Sequence, residues 1–79
     1  MKTIYDPRYV SLISLLRANR ISLGITQGHL ARRMGVSRTL VVRVEQHERR
    51  LDVLELYCWL GVLGLKMAAV ETILAGERR

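Results

Sequence analysis

Asp6, Thr26, Ser37 and Asp52 each stand where a helix would begin, and Gly24, Gly35 and Gly64 each stand where one would end. Short side-chain oxygens accept the free amides of a first helical turn, and glycine takes the left-handed backbone that closes a last one. This punctuation divides the chain into five helices. Pro7 follows Asp6 at the position where a missing amide costs nothing, and Val10, Leu12, Ile13 and Leu16 then form one apolar stripe up to about Ile21. A second helix, Gln27 to Met34, turns Leu30, Ala31 and Met34 inward and Arg32 and Arg33 outward. The third runs from Arg38 to about Glu45 with Val41 and Val44 on one face, the fourth from Val53 to Leu63, and the fifth from about Lys66 to Ala75.

Seventy-nine residues allow a single domain, residues 1–79, with the second and third helices at about 26–45 and the fourth and fifth at 52–75. With no Phe, one Trp and three Tyr, its core must be built from Leu, Val, Ile and Ala, which suits packed helices. The expected fold is all-α. One cysteine, Cys58, excludes an internal disulfide framework and a four-thiolate zinc site, and it fits a reducing, cytoplasmic setting. The apolar uncharged run Leu56 to Leu65 is ten residues, about half of what crosses a bilayer, and Met1 to Pro7 lacks the apolar stretch of a signal peptide. No membrane role is expected.

The interior is too small for every apolar residue of the C-terminal half. The fourth helix offers Val53, Leu56, Tyr57, Leu60 and Leu63 to its own core, yet Leu54 and Cys58 remain apolar on another side and Gly61 continues that strip. The fifth adds Met67, Val70, Ile73 and Leu74. Leu54, Cys58, Met67, Val70 and Leu74 are therefore expected to face a second copy of the chain, making a homodimer.

Eleven Arg and two Lys against seven acids leave a net charge of +6. The charge is uneven: residues 26–50 carry +4 and residues 51–79 carry −1. Arginine grips phosphates and guanine edges in a planar fork. The gap between the second and third helices is three residues and contains Gly35, the plan of a helix-turn-helix unit. Positions 38, 39, 42 and 43 share the face of the third helix opposite Val41 and Val44, so Arg38, Thr39, Val42 and Arg43 point together.

Over about residues 9–66 the chain resembles the Cro and lambda-repressor-like (Xre) helix-turn-helix proteins. The residues that carry the likeness are Arg20-Ile21-Ser22-Leu23-Gly24-Ile25-Thr26-Gln27, Leu30-Ala31, Gly35-Val36-Ser37, Val41, Val44-Glu45, Glu48-Arg49-Arg50-Leu51-Asp52 and Leu63-Gly64. The resemblance implies a five-helix domain whose third helix enters the major groove, with Arg38, Thr39, Val42 and Arg43 reading bases. It also implies a phosphate contact for Gln27, continued by Gln46, Arg49 and Arg50, and a partly buried ion pair between Arg20 and Glu45. The chain departs from the family at His47, where glycine is usual, at Gly28-His29, where acids are common, and at Leu54 and Cys58, where polar residues are usual.

Blander readings apply elsewhere. Arg32 and Arg33 form a solvated face, His29 and His47 lack partners at ligand spacing, and Cys58 is a small packing residue. Glu45, Glu48, Asp52 and Glu55 lie at helix ends and in a loop with no pocket expected, so neither catalysis, nor a metal, nor a cofactor is expected. The expectation is a sequence-specific transcriptional regulator, a repressor that binds an inverted-repeat operator in double-stranded DNA as a homodimer, with room for a regulatory protein partner. The alternative is a protein-interaction module, such as an antitoxin or adaptor, that uses the apolar C-terminal helices.

Overall fold

The structure, a computed structural model, describes residues 3–76, so the outermost residues of the expected 1–79 domain lie outside the described residues. It is all-α. A 3-10 turn at Thr3–Tyr5 precedes α1 (Pro7–Ser22), α2 (Gln27–Met34), α3 (Arg38–Glu45), α4 (Val53–Leu63) and α5 (Met67–Gly76). The start of each of the first four helices is the capping residue expected. Asp6, Thr26, Ser37 and Asp52 accept the amides of Arg8, His29, Leu40 and Glu55 at 2.9, 3.0, 3.2 and 2.8 Å. Glu55 returns the favour to the Asp52 amide at 3.0 Å, completing a capping box. Caps of this kind contribute about 1 kcal/mol each. The Arg8 guanidinium and amide hold the Asp6 carboxyl down at about 2, so the first cap stays charged well into acid.

The first four helices also end alike. In each, the residue in the left-handed position donates back to the carbonyl three before it, and the next residue donates to the carbonyl five before it, the paired bonds of a Schellman turn. Gly24, Gly35 and Gly64 fill that position in α1, α2 and α4, but after α3 it is His47, at φ 61°. A Cβ in that conformation costs about 1–2 kcal/mol. The bonds from His47 to Val44 at 3.1 Å and from Glu48 to Arg43 at 2.8 Å hold it there.

Every helix contributes to the core: Leu12, Ile13 and Leu16 from α1, Leu30 and Ala31 from α2, Val41 and Val44 from α3, Trp59, Leu60 and Leu63 from α4, and Val70 from α5. α2 packs closely on α3 and also on α4, while α5 folds back onto α1. α4 and α5 are bent by 114° relative to each other, and no single helix among the described residues is long and apolar enough to cross a membrane.

The C-terminal half differs from its sequence pattern in two places. Val53 and Tyr57, expected in the core, are instead 73% and 68% exposed, because fully buried Trp59 fixes the phase of α4 and turns them outward. Val70, expected at the dimer surface, is instead 4% exposed and fills the monomer's own core. Leu54, Cys58, Met67 and Leu74 remain exposed as expected.

The two classes of residue separate experimentally. Val70→Glu should abolish the cooperative melt followed by circular dichroism, since an unpaired buried carboxylate costs several kcal/mol. Leu54→Glu should keep a cooperative melt, with stability within about 0.5 kcal/mol of wild type at concentrations too low for two copies to pair. His47→Gly should raise it by up to about 1 kcal/mol in a urea melt by relieving the left-handed strain, and a loss would show that the His47 side chain stabilises more than its backbone costs.

Candidate nucleic-acid interface

The polar centre of the molecule is one carboxylate. Glu45, the last residue of α3, is 8% exposed, as is Arg20 near the end of α1. Arg20 Nε and Nη2 donate to the two Glu45 oxygens at 2.7 and 2.9 Å, and Nη1 donates to the Ile25 carbonyl at 2.8 Å. One guanidinium thus ties α1 to the turn before α2 and to the end of α3. Gln27, the first residue of α2, adds a third helix by donating its amide to Glu45 Oε1 at 3.0 Å. The expected structural ion pair is present.

The network continues outward. The Gln27 side-chain oxygen accepts a long bond, 3.5 Å, from Arg38 Nη2 at the start of α3. Arg38 also leans over Gly28, with its Cδ 3.8 Å from where a β-carbon would sit. An acid at that position would stand beside Arg38 and compete with an external anion for it, which gives the glycine a physical sense. Gln27 therefore faces inward, with one N–H on Glu45 and its oxygen toward Arg38, and keeps its second amide N–H for another acceptor.

Arg38, Thr39 and Arg43 are exposed and Val42 is half-buried, so the four residues expected to read bases share an accessible face above buried Val41 and Val44. The face is held from below by packing and from its two ends by the Gln27 and Glu45 bonds. Beside it, Gln46 and Arg50 are exposed in the loop after α3.

Arg49, expected at a phosphate, is also held within the domain. Its Nη1 and Nη2 fork onto Glu55 at 2.8 and 2.9 Å, and Nη1 also donates to the Arg50 carbonyl at 3.0 Å. That hydrogen-bonded fork holds the Glu55 carboxyl below its usual range and pushes Arg49 up. The guanidinium fastens the loop to the first turn of α4 and keeps Nε–H and one Nη2 hydrogen for another acceptor. Tyr9 helps from α1, its hydroxyl accepting the Leu51 amide at 3.1 Å.

Arg17 is a further cation beside this network that the motif residues do not include. It lies 3.8 Å from Glu45 with 57% of its side chain exposed, on the rim of an open cleft of about 680 Å³ that also includes Gln46 and His47. Its spacing three before Arg20 puts both on one side of α1, a signal that was available. Among the described residues no group of three His, Cys, Asp or Glu stands close enough to hold a metal.

Removing Arg20 would leave a buried carboxylate with only Gln27 and a distant Arg17 for company. Arg20→Ala should cost about 3–5 kcal/mol in a urea melt. A loss under about 1 kcal/mol would show that solvent or Arg17 reaches Glu45 freely. No protein-family model matches this chain, and no curated protein matches it.

Proposed function

We propose that the protein is a sequence-specific DNA-binding regulator of the Cro and lambda-repressor-like kind, acting in the cytoplasm as a homodimeric repressor on an inverted-repeat operator. The observation that carries this reading is the exposed α3 face of Arg38, Thr39, Val42 and Arg43, seated on a buried ionic anchor. In this reading α2 and α3 are the helix-turn-helix unit and α3 lies in the major groove. Arg38 and Arg43 offer forks suited to O6 and N7 of guanine, Thr39 a hydroxyl and a methyl, and Val42 apolar contact suited to a thymine methyl.

Phosphate binding then falls to the second amide N–H of Gln27, to Gln46 and to Arg50, with Arg49 positioning the loop that presents them. Arg17 is a further candidate on the α1 side. The charge pattern agrees, since residues 26–50 carry +4 and residues 51–79 carry −1. The interaction-module reading, with an antitoxin or adaptor as its type, is favoured by one observation, the exposed apolar side of α4.

Binding to duplex DNA across a salt series distinguishes the roles. Arg38→Ala should cost about 1–3 kcal/mol on a preferred site and relax preference at one base pair. Arg50→Ala should weaken preferred and random DNA alike and reduce the slope of log affinity against log salt by about 1. Equal losses from both variants on both kinds of DNA would overturn the assignment, and affinity indifferent to salt would favour the interaction module.

A further inference from the structure

α4 has two apolar sides, and the domain uses one of them. Trp59, Leu60 and Leu63 enter the core, whereas Val53, Leu54, Tyr57, Cys58 and Gly61 succeed one another at three- and four-residue steps along the outside. Glu55, the one charge within α4, is drawn away to Arg49, so the outer strip holds no charged side chain. Val53, Leu54 and Tyr57, at 73%, 76% and 68% exposed, give it on the order of several hundred Å² of contiguous apolar surface, the size of patch that usually has a function.

The strip is uneven in a self-matching way. Leu54 projects near its beginning. Near its end nothing lies within 4 Å of where a Gly61 β-carbon would be, and a recess of about 350 Å³ opens between Tyr57, Leu60, Gly61, Leu65, Lys66 and Met67. A covering surface must therefore bring an aliphatic knob to position 61 and a hollow to position 54.

A second copy laid antiparallel brings both. With the crossing between Tyr57 and Cys58, Leu54 of one copy stands over Gly61 of the other, and the two-fold axis repeats the contact. Charge selects the same direction. Exposed Asp52 precedes the strip, with Arg50 two residues before it, and exposed Lys66 follows it, so antiparallel order brings an acid toward Lys66 at both ends whereas parallel order sets every charge against its own kind. The helix dipoles are opposed as well.

We infer that α4 pairs antiparallel with α4 of a second copy, the Leu54 of each filling the recess over Gly61 of the other. The inference rests on the two-copy reading above and assigns the contact which that reading leaves open. It also sets Cys58 beside the two-fold axis, within reach of its counterpart.

Sedimentation of the whole chain without DNA tests it. Wild type should dimerise with rising concentration. Leu54→Ala, which empties the knob, and Gly61→Leu, which fills the recess, should each weaken the dimer about tenfold or more. The variant carrying both changes should return to within about threefold of wild type, because the knob again faces a hollow. A short bismaleimide should join Cys58 to Cys58 in wild type and in the double variant. Circular dichroism melts of all four proteins check folding, which the exposure of Leu54 and the open space at Gly61 protect. A chain that stays monomeric at tens of micromolar would overturn the inference. So would a dimer unmoved by either single change and not joined through Cys58. Duplex binding by the same proteins keeps the two proposals apart: a chain that pairs as described but ignores DNA supports the seam and removes only the operator reading.

Discussion

The bidentate bond between Arg20 and Glu45 is the interaction on which the arrangement of the first three helices depends. Apolar packing of Leu, Val and Ile is strong but has little direction, so by itself it leaves the angle between short helices loosely set. A planar fork 2.7 and 2.9 Å from two carboxylate oxygens has direction. It fixes the end of α3 against α1, and the third Arg20 bond, to the Ile25 carbonyl, fixes the turn into α2. Buried ion pairs often stabilise no more than apolar residues of the same volume would. The value of this one lies in orientation: it sets the pitch at which α3 presents Arg38, Thr39, Val42 and Arg43.

From that anchor the molecule divides into two surfaces of opposite character. On one side Gln27 hands the geometry of Glu45 on to Arg38, and Arg49 holds the following loop against α4, so flexible cations stand on a rigid frame. Preorganised forks lose less entropy on meeting a ligand than free ones. On the other side α4 shows an uncharged strip that the domain is too small to cover. The basic and apolar surfaces lie on different helices, so two copies can join through α4 and leave both α3 faces open.

Helix boundaries were legible in the sequence because they are set by local chemistry. Thr26, Ser37 and Asp52 act through their own side chains on amides three residues away, and no distant contact decides them. The inward faces of α1, α2 and α3 were legible for a related reason, since polar residues on their outer faces leave one phase for burial. α4 lacks that contrast, with Glu55 its one charge, so the period of the pattern could not say whether Tyr57 or Trp59 goes inside. The Arg49–Glu55 pair was hidden because it spans a loop whose path sequence spacing does not describe. Val70 failed as a surface residue because its burial depends on α5 folding back onto α1.

Selection of bound sites from random duplex DNA tests the central claim most directly. A homodimer that carries one α3 per copy to successive major grooves predicts a recovered inverted repeat with half-site centres about ten base pairs apart, each half-site constant at a few adjacent positions. Recovery of sequences without two-fold symmetry, or no enrichment at low salt, would contradict it.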